Sequence, residues 1–150
     1  MFWFVVILHA ASGWFYGHLM EYLVHRYFLH DFKLFPKFFK RHFGTHHRIA
    51  RKNEMFDENY VNVFTRESLF EVLGILILLV LHSPVLFTAP VFYGVLVISC
   101  VQYYIKHRRS HIDVEWGKEN MPWHYEHHMG KDQHKNWGVR ANIIDRLLEN

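Results

Sequence analysis

Three stretches of the chain are almost free of charge, and they alternate with segments dense in histidine, lysine and arginine. Residues 2–24 read FWFVVILHAASGWFYGHLMEYLV, residues 67–83 read ESLFEVLGILILLVLHS, and residues 85–106 read VLFTAPVFYGVLVISCVQYYIK. As a helix the first can cross roughly 30 Å of hydrocarbon, although His9, His18 and Glu21 interrupt it. It lacks the basic leader of a signal peptide and runs without a turn signal into polar sequence, so it reads as a first membrane-spanning helix. Ser83-Pro84 separates the other two runs and predicts a helical hairpin. The second is continuously apolar only from Val72 to Leu81, which fits a spanning or a re-entrant segment, and Pro90 is expected to kink the third.

Between the runs, Phe35, Phe38, Phe39 and Phe43 recur at helical spacing with Lys33, Lys37, Lys40 and Arg41 at their edges. Such a segment lies flat among lipid headgroups or turns an aromatic stripe to the core. Trp116, Trp123, Tyr125 and Trp137 raise the same pair of readings, an interfacial belt or packing beneath a site.

Charge sharpens the topology. All 17 Lys and Arg residues lie in 26–66 and 106–146, and none in the first or the later apolar runs before Lys106. Cationic loops stay on the cytoplasmic side of a bilayer, so both basic blocks are expected on that one face. The emptied apolar runs argue against a nucleic-acid-binding protein, and a single cysteine, Cys100, rules out an intramolecular disulfide. At 150 residues the chain is expected to form one domain, 1–150.

Ten of the 14 histidines sit in or directly beside the two basic blocks as four clusters: His25 and His30; His42, His46 and His47; His107 and His111; His124, His127 and His128. Neutral imidazole is a common nitrogen ligand for zinc, iron, copper and nickel, and ten rings exceed what one ion can use, so two metal ions are expected. At about 100° per residue, His42 with His46 and His107 with His111 would each share a helix face. His46 and His47, like His127 and His128, would face different ions. His25 and His30 diverge by about 140° on a regular helix, which predicts a helix end or a bulge between them. His9, His18, His82 and His134 are left outside the site. Asp31, Asp57, Asp113, Glu126, Asp132 and Asp145 are candidates to orient imidazoles, and Glu21, near the expected membrane boundary, requires a role or a partner.

The ordered set of four elements, H-x4-H, H-x3-HH, H-x3-H and H-x2-HH, resembles the fatty acid hydroxylase superfamily. That group contains sterol desaturases, fatty acid and sphingolipid hydroxylases and bacterial carotenoid hydroxylases. The stretch Asn136-Trp137-Gly138-Val139 with Asp145 is similar to the tail of the fatty acid and sterol branch, whereas the short length is closer to the carotenoid hydroxylases. The resemblance implies an all-α bundle of about three to four membrane helices with a cytosolic histidine-rich helical cap. It also implies a dinuclear centre, iron in the working enzyme with zinc able to replace it, that uses O2 and external electrons to hydroxylate an unactivated C–H bond of a fatty acyl, sphingolipid or sterol-type lipid. Carotenoid hydroxylation or lipid desaturation at the same centre, and a non-catalytic zinc-binding membrane protein, are the alternatives. No haem-attachment, iron–sulfur or dinucleotide motif is present in the sequence, so an external donor such as ferredoxin or a cytochrome b5 is expected.

Overall fold

The computed structural model describes residues 1–148, and all regular structure among those residues is helical, without strands. The long α1 (Phe2–Leu23) runs without a break into a π-helical turn at Val24–Leu29, which supplies the bulge that the His25/His30 spacing requires. The chain continues through α2 (Pro36–Arg41), a second π-helical turn at His42–His47 and α3 (Arg48–Lys52). A 3-10 turn at Glu58–Tyr60 leads to α4 (Arg66–His82), which Thr65 caps by accepting from the Ser68 amide at 3.2 Å.

The hairpin break is wider than Ser83-Pro84. It contains a single-turn α5 (Val85–Thr88) and ends at Ala89, whose non-helical backbone precedes α6 (Pro90–Ile112). Pro90 therefore does not kink the third run. It occupies the first turn of α6, where its missing N–H has no helical partner to lose. The short α7 (Val114–Asn120), α8 (Pro122–Met129) and α9 (Ile143–Leu147) follow.

α1 and α6 form the main helix pair, and two glycines set their closeness. A Cβ on Gly13 would stand 2.8 Å from the Phe92 carbonyl oxygen, and one on Gly17 would stand 2.7 Å from Ser99 Oγ. Their spacing is the small-x-x-x-small pattern that lets helix backbones approach. Since a carbonyl on a helix cannot swing aside, Gly13→Ala is expected to destabilise the fold by about 1–3 kcal/mol. Gly94→Ala, whose new Cβ meets nothing within 4 Å, should instead hold or raise the melting temperature. Thermal unfolding of the two variants checks this, and equal melting temperatures would show that the glycine contact sets no limit on packing.

α4 closes on the pair through hydrogen bonds of partly buried rings. Tyr93 donates to the Leu79 carbonyl at 3.1 Å, and the Ser68 and Tyr104 hydroxyls meet at 2.9 Å. His82 donates from Nδ1 to the Leu78 carbonyl, which leaves Nε2 to accept from Tyr16 at 2.6 Å. A small apolar cluster of Tyr22, Trp137 and Ile144, flanked by Leu19 and Leu23, ties α9 and the preceding segment to α1.

The expectation of spanning helices is not met. Among the described residues no helix is long and apolar enough to cross a membrane. Histidines and Glu21 dilute α1, α4 has only 17 residues, and the last turns of α6 are charged. These helices nevertheless turn large apolar side chains outward, including Phe2, Trp3 and Phe4 on α1 and Leu76, Val80 and Leu81 on α4.

The aromatic stripe of 35–43 divides. Phe35 stacks on Phe28 and Phe39 on Phe43, while Phe38 stays exposed. Trp137 is buried and packs against His25, His30 and His127, while Trp123 donates to the Val139 carbonyl at 3.1 Å.

Candidate metal centre

The interior is made of imidazole more than of hydrocarbon. Nine of the ten clustered histidines are buried, and His42 is partly so. Their ring nitrogens converge into two groups, within each of which the candidate ligand atoms lie no more than 4.8 Å apart. One group joins His25, His30, His42, His47 and His127, and the other joins His46, His107, His111 and His128.

Helix geometry explains the sorting. His107 and His111, four apart on regular α6, enter the same group as their spacing predicts. His127 and His128 part into different groups, as do His46 and His47. His42, however, joins His47 instead of His46, which corrects the pairing expected from 3.6 residues per turn. The turn at His42–His47 is π-helical, and its wider winding brings residue i beneath i+5. The same winding at Val24–Leu29 brings His25 and His30 together. His124 lies outside both groups, although it is fully buried with its Nε2 3.4 Å from that of His111.

The outer nitrogens show which face of each ring is free. His25 Nδ1 donates to the Trp137 carbonyl at 2.7 Å, His127 Nδ1 to that of Lys135 at 2.6 Å and His111 Nδ1 to that of Met55 at 2.9 Å. His46 donates to Asp57 and His107 to Glu71, both at 2.9 Å. A neutral imidazole with its proton on Nδ1 presents a lone pair at Nε2, so these five rings offer Nε2 as the ligand atom.

Positions of the acceptors are built into the chain. Met55 and Glu54 have positive φ, a strained turn that aims the Met55 carbonyl at His111. Asp145 accepts from the amides of Trp137 and Gly138, both at 2.8 Å, and fixes the carbonyl that holds His25. Glu21 has its partner as well: it pairs with buried Arg140 at 2.8 Å and accepts from the Val139 and Arg140 amides. Arg51 holds the end of α8 through the His128 and Gly130 carbonyls.

Of the six carboxylates singled out in the sequence, only Asp57 hydrogen-bonds an imidazole. Asp31 and Asp132 accept from loop amides, Asp113 caps α7, Asp145 holds the Trp137 segment, and Glu126 is exposed. Glu71 was missed, although an acid beside the apolar stretch of α4 is the same signal that drew attention to Glu21. Of the histidines set aside, His9 and His18 stay on α1, His82 serves the α4 contact, and exposed His134 stacks on Phe43 beside His30.

Burial dominates the proton chemistry. Removal from water, followed by repulsion from neighbouring imidazoles, lowers His30 to about 2 and holds His25, His42, His47, His124 and His128 well below the ordinary 6.5. Burial likewise brings His127 to about 4. Burial pushes Asp57 up, but the His46 hydrogen bond and the Asn59 N–H groups outweigh it, and the net shift is down.

The rings are thus neutral at physiological pH, with several lone pairs converging. His25 and His42 bring Nε2 atoms to 3.0 Å, and His30 brings its own to 3.1 Å from His47 and 3.2 Å from His127. One Nε2–H can serve only one of the two contacts at His30. Two nitrogens bound at right angles to one ion at about 2.1 Å would lie about 3.0 Å apart, and a tetrahedral pair about 3.4 Å. Both nitrogens of His128, and Nε2 of His46, are buried without a hydrogen-bond partner. The donor set fits two nitrogen-ligated metal ions.

No curated protein and no solved structure matches the chain in comparison. Against known families, residues 10–150 match the one described as Fatty acid hydroxylase. That match covers every helix that carries a clustered histidine and the segment that braces them, and the chain belongs to the fatty acid hydroxylase family.

Proposed function

From this membership we infer an oxidoreductase. We propose that the chain is a dinuclear iron oxygenase that hydroxylates an unactivated C–H bond in a lipid, of fatty acyl, sphingolipid or sterol type. The observation that carries this reading is the pair of buried histidine groups placed side by side and joined through His46-His47 and His127-His128. His25, His30, His42, His47 and His127 would hold one ion, and His46, His107, His111 and His128 the other, with His124 against the second group.

The two ions would supply the reduction of O2 and the attack on the C–H bond. The protein's own part is to fix ring planes through the Nδ1 acceptors and to exclude water by burial, which favours neutral imidazole. Electrons would come from a ferredoxin or a cytochrome b5, for which the basic histidine-bearing face is the complementary surface. The outward apolar side chains of α1 and α4 support residence in a bilayer, with the histidines at its cytoplasmic surface.

The test is lipid profiling by mass spectrometry of cells that make the wild type or the His127→Ala/His128→Ala variant. A wild-type-only product heavier by one oxygen atom is expected, and its formation should require the electron donor when purified components are combined. A product lighter by two hydrogens would move the assignment to desaturation, and an oxygenated carotenoid would move it to that substrate. No product at all, with zinc held by the wild type and lost from the variant, would leave a structural metal site.

A further inference from the structure

The two histidine groups differ in what stands behind their rings. In the four-histidine group, His46 and His107 each donate Nδ1–H to a carboxylate at 2.9 Å, from Asp57 and Glu71 respectively. Asp57 is fully buried and locked by Asn59, whose backbone and side-chain N–H groups reach its other oxygen at 3.0 and 2.8 Å. Glu71 is nearly as enclosed, its side chain 13% exposed.

The five-histidine group has a different backing. His25 and His127 donate to the carbonyls of Trp137 and Lys135, and His47 meets the side-chain amide of Gln133 at 3.2 Å. Among the described residues no carboxylate is hydrogen-bonded to a ring of this group. A dication in a dry site surrounded by neutral rings keeps its full charge uncompensated, whereas two anions one imidazole away offset it and make their rings more basic donors. The extra histidine of the larger group opposes this, but it adds a neutral dipole and no charge.

We propose that the two metal positions are unequal: the four-histidine position, backed by Asp57 and Glu71, fills first and holds its ion more tightly, and the five-histidine position is the exchangeable one. This rests on the dinuclear reading. Asp57 and Glu71 act through the imidazoles they orient, so they are positioning residues. Replacement of each by its amide keeps a hydrogen-bond acceptor and the shape while it removes the charge, which separates charge from ligand count.

The experiment is a titration of the purified, chelator-stripped full chain with Zn2+ in competition with a chromophoric chelator, read without any turnover. Wild type should take up two ions in two steps. Asp57→Asn and Glu71→Gln should each weaken the tight step by about 10- to 100-fold and leave the weak step in place. His127→Ala should remove the weak step and spare the tight one. Two ions bound with equal affinity, or carboxamide variants that leave the tight step unmoved, would overturn the proposal while the dinuclear reading stands. A wild type that takes up no Zn2+ would take down the dinuclear reading and this inference with it.

Discussion

His128→Ala is expected to empty the four-histidine group of its ion and to abolish turnover, while His9→Ala leaves both intact. His128 is fully buried, and neither ring nitrogen has a hydrogen-bond partner. Its ring packs 4.1 Å from that of His47, 4.7 Å from His111 and 4.8 Å from His46, so it stands where the two groups meet. A buried polar ring without a partner costs roughly 1–3 kcal/mol, and a cation removes that cost as well as using the lone pair. Loss of the ring should exceed the roughly 10- to 100-fold drop in metal affinity that removal of an outer-shell partner gives. Metal content of the purified variants, measured with turnover, decides it. Full metal and full activity in His128→Ala would remove this residue from the centre and undo the assignment of its group.

Acidification is the second large effect. Burial, then repulsion between imidazoles, depresses these histidines, His127 to about 4 and His30 to about 2. An unfolded chain takes protons near 6.5, and the folded rings do not until far lower. The unfolded state therefore binds more protons as the pH falls through that window, so stability is complete above about 6.5 and declines below it. Each ring contributes a slope of up to about 1.4 kcal/mol per pH unit, so five rings acting together would cost about 7 kcal/mol over one full pH unit, which is comparable to the whole stability of a typical domain. Since a proton and a metal ion compete for the same lone pair, metal release should accompany the loss of helix. Circular dichroism and metal release followed from pH 7 to 4 should show one coupled transition beginning near 6.5. Retention of both helix and metal at pH 4 would mean that the rings are not the buried neutral set described.

The sequence made the four histidine clusters and their common face readable because side-chain chemistry and charge are written in residue identities. The separation of His127 from His128 followed from helix period alone. The partner of His42 did not, since the residue types of HFGTHH do not say whether the turn winds as α or π. Backbone acceptors were unreadable for a related reason: any residue has a carbonyl, and only the folded path brings those of Trp137, Lys135 and Met55 to imidazoles. Asp145 illustrates the limit, being near the site as expected yet turned to backbone amides. Among the described residues no helix is long and apolar enough to cross a membrane, because polar interruptions of the long runs serve contacts such as Glu21 with Arg140 and Tyr16 with His82.

The two wide turns at Val24–Leu29 and His42–His47 make the centre depend on counting as much as on chemistry. Loss of one residue from either would let the chain relax to the ordinary helical winding with the ring pair four apart and still on one face, whereas loss of two would swing each following ring by about 100°. After the longer loss every imidazole would still be present, and composition would be nearly unchanged, yet rings meant for one ion would face the other. Substitutions at the intervening positions are thus better tolerated than a two-residue change in their number, and a one-residue gap inside either stretch of a relative marks an ordinary helical turn in place of the wide one.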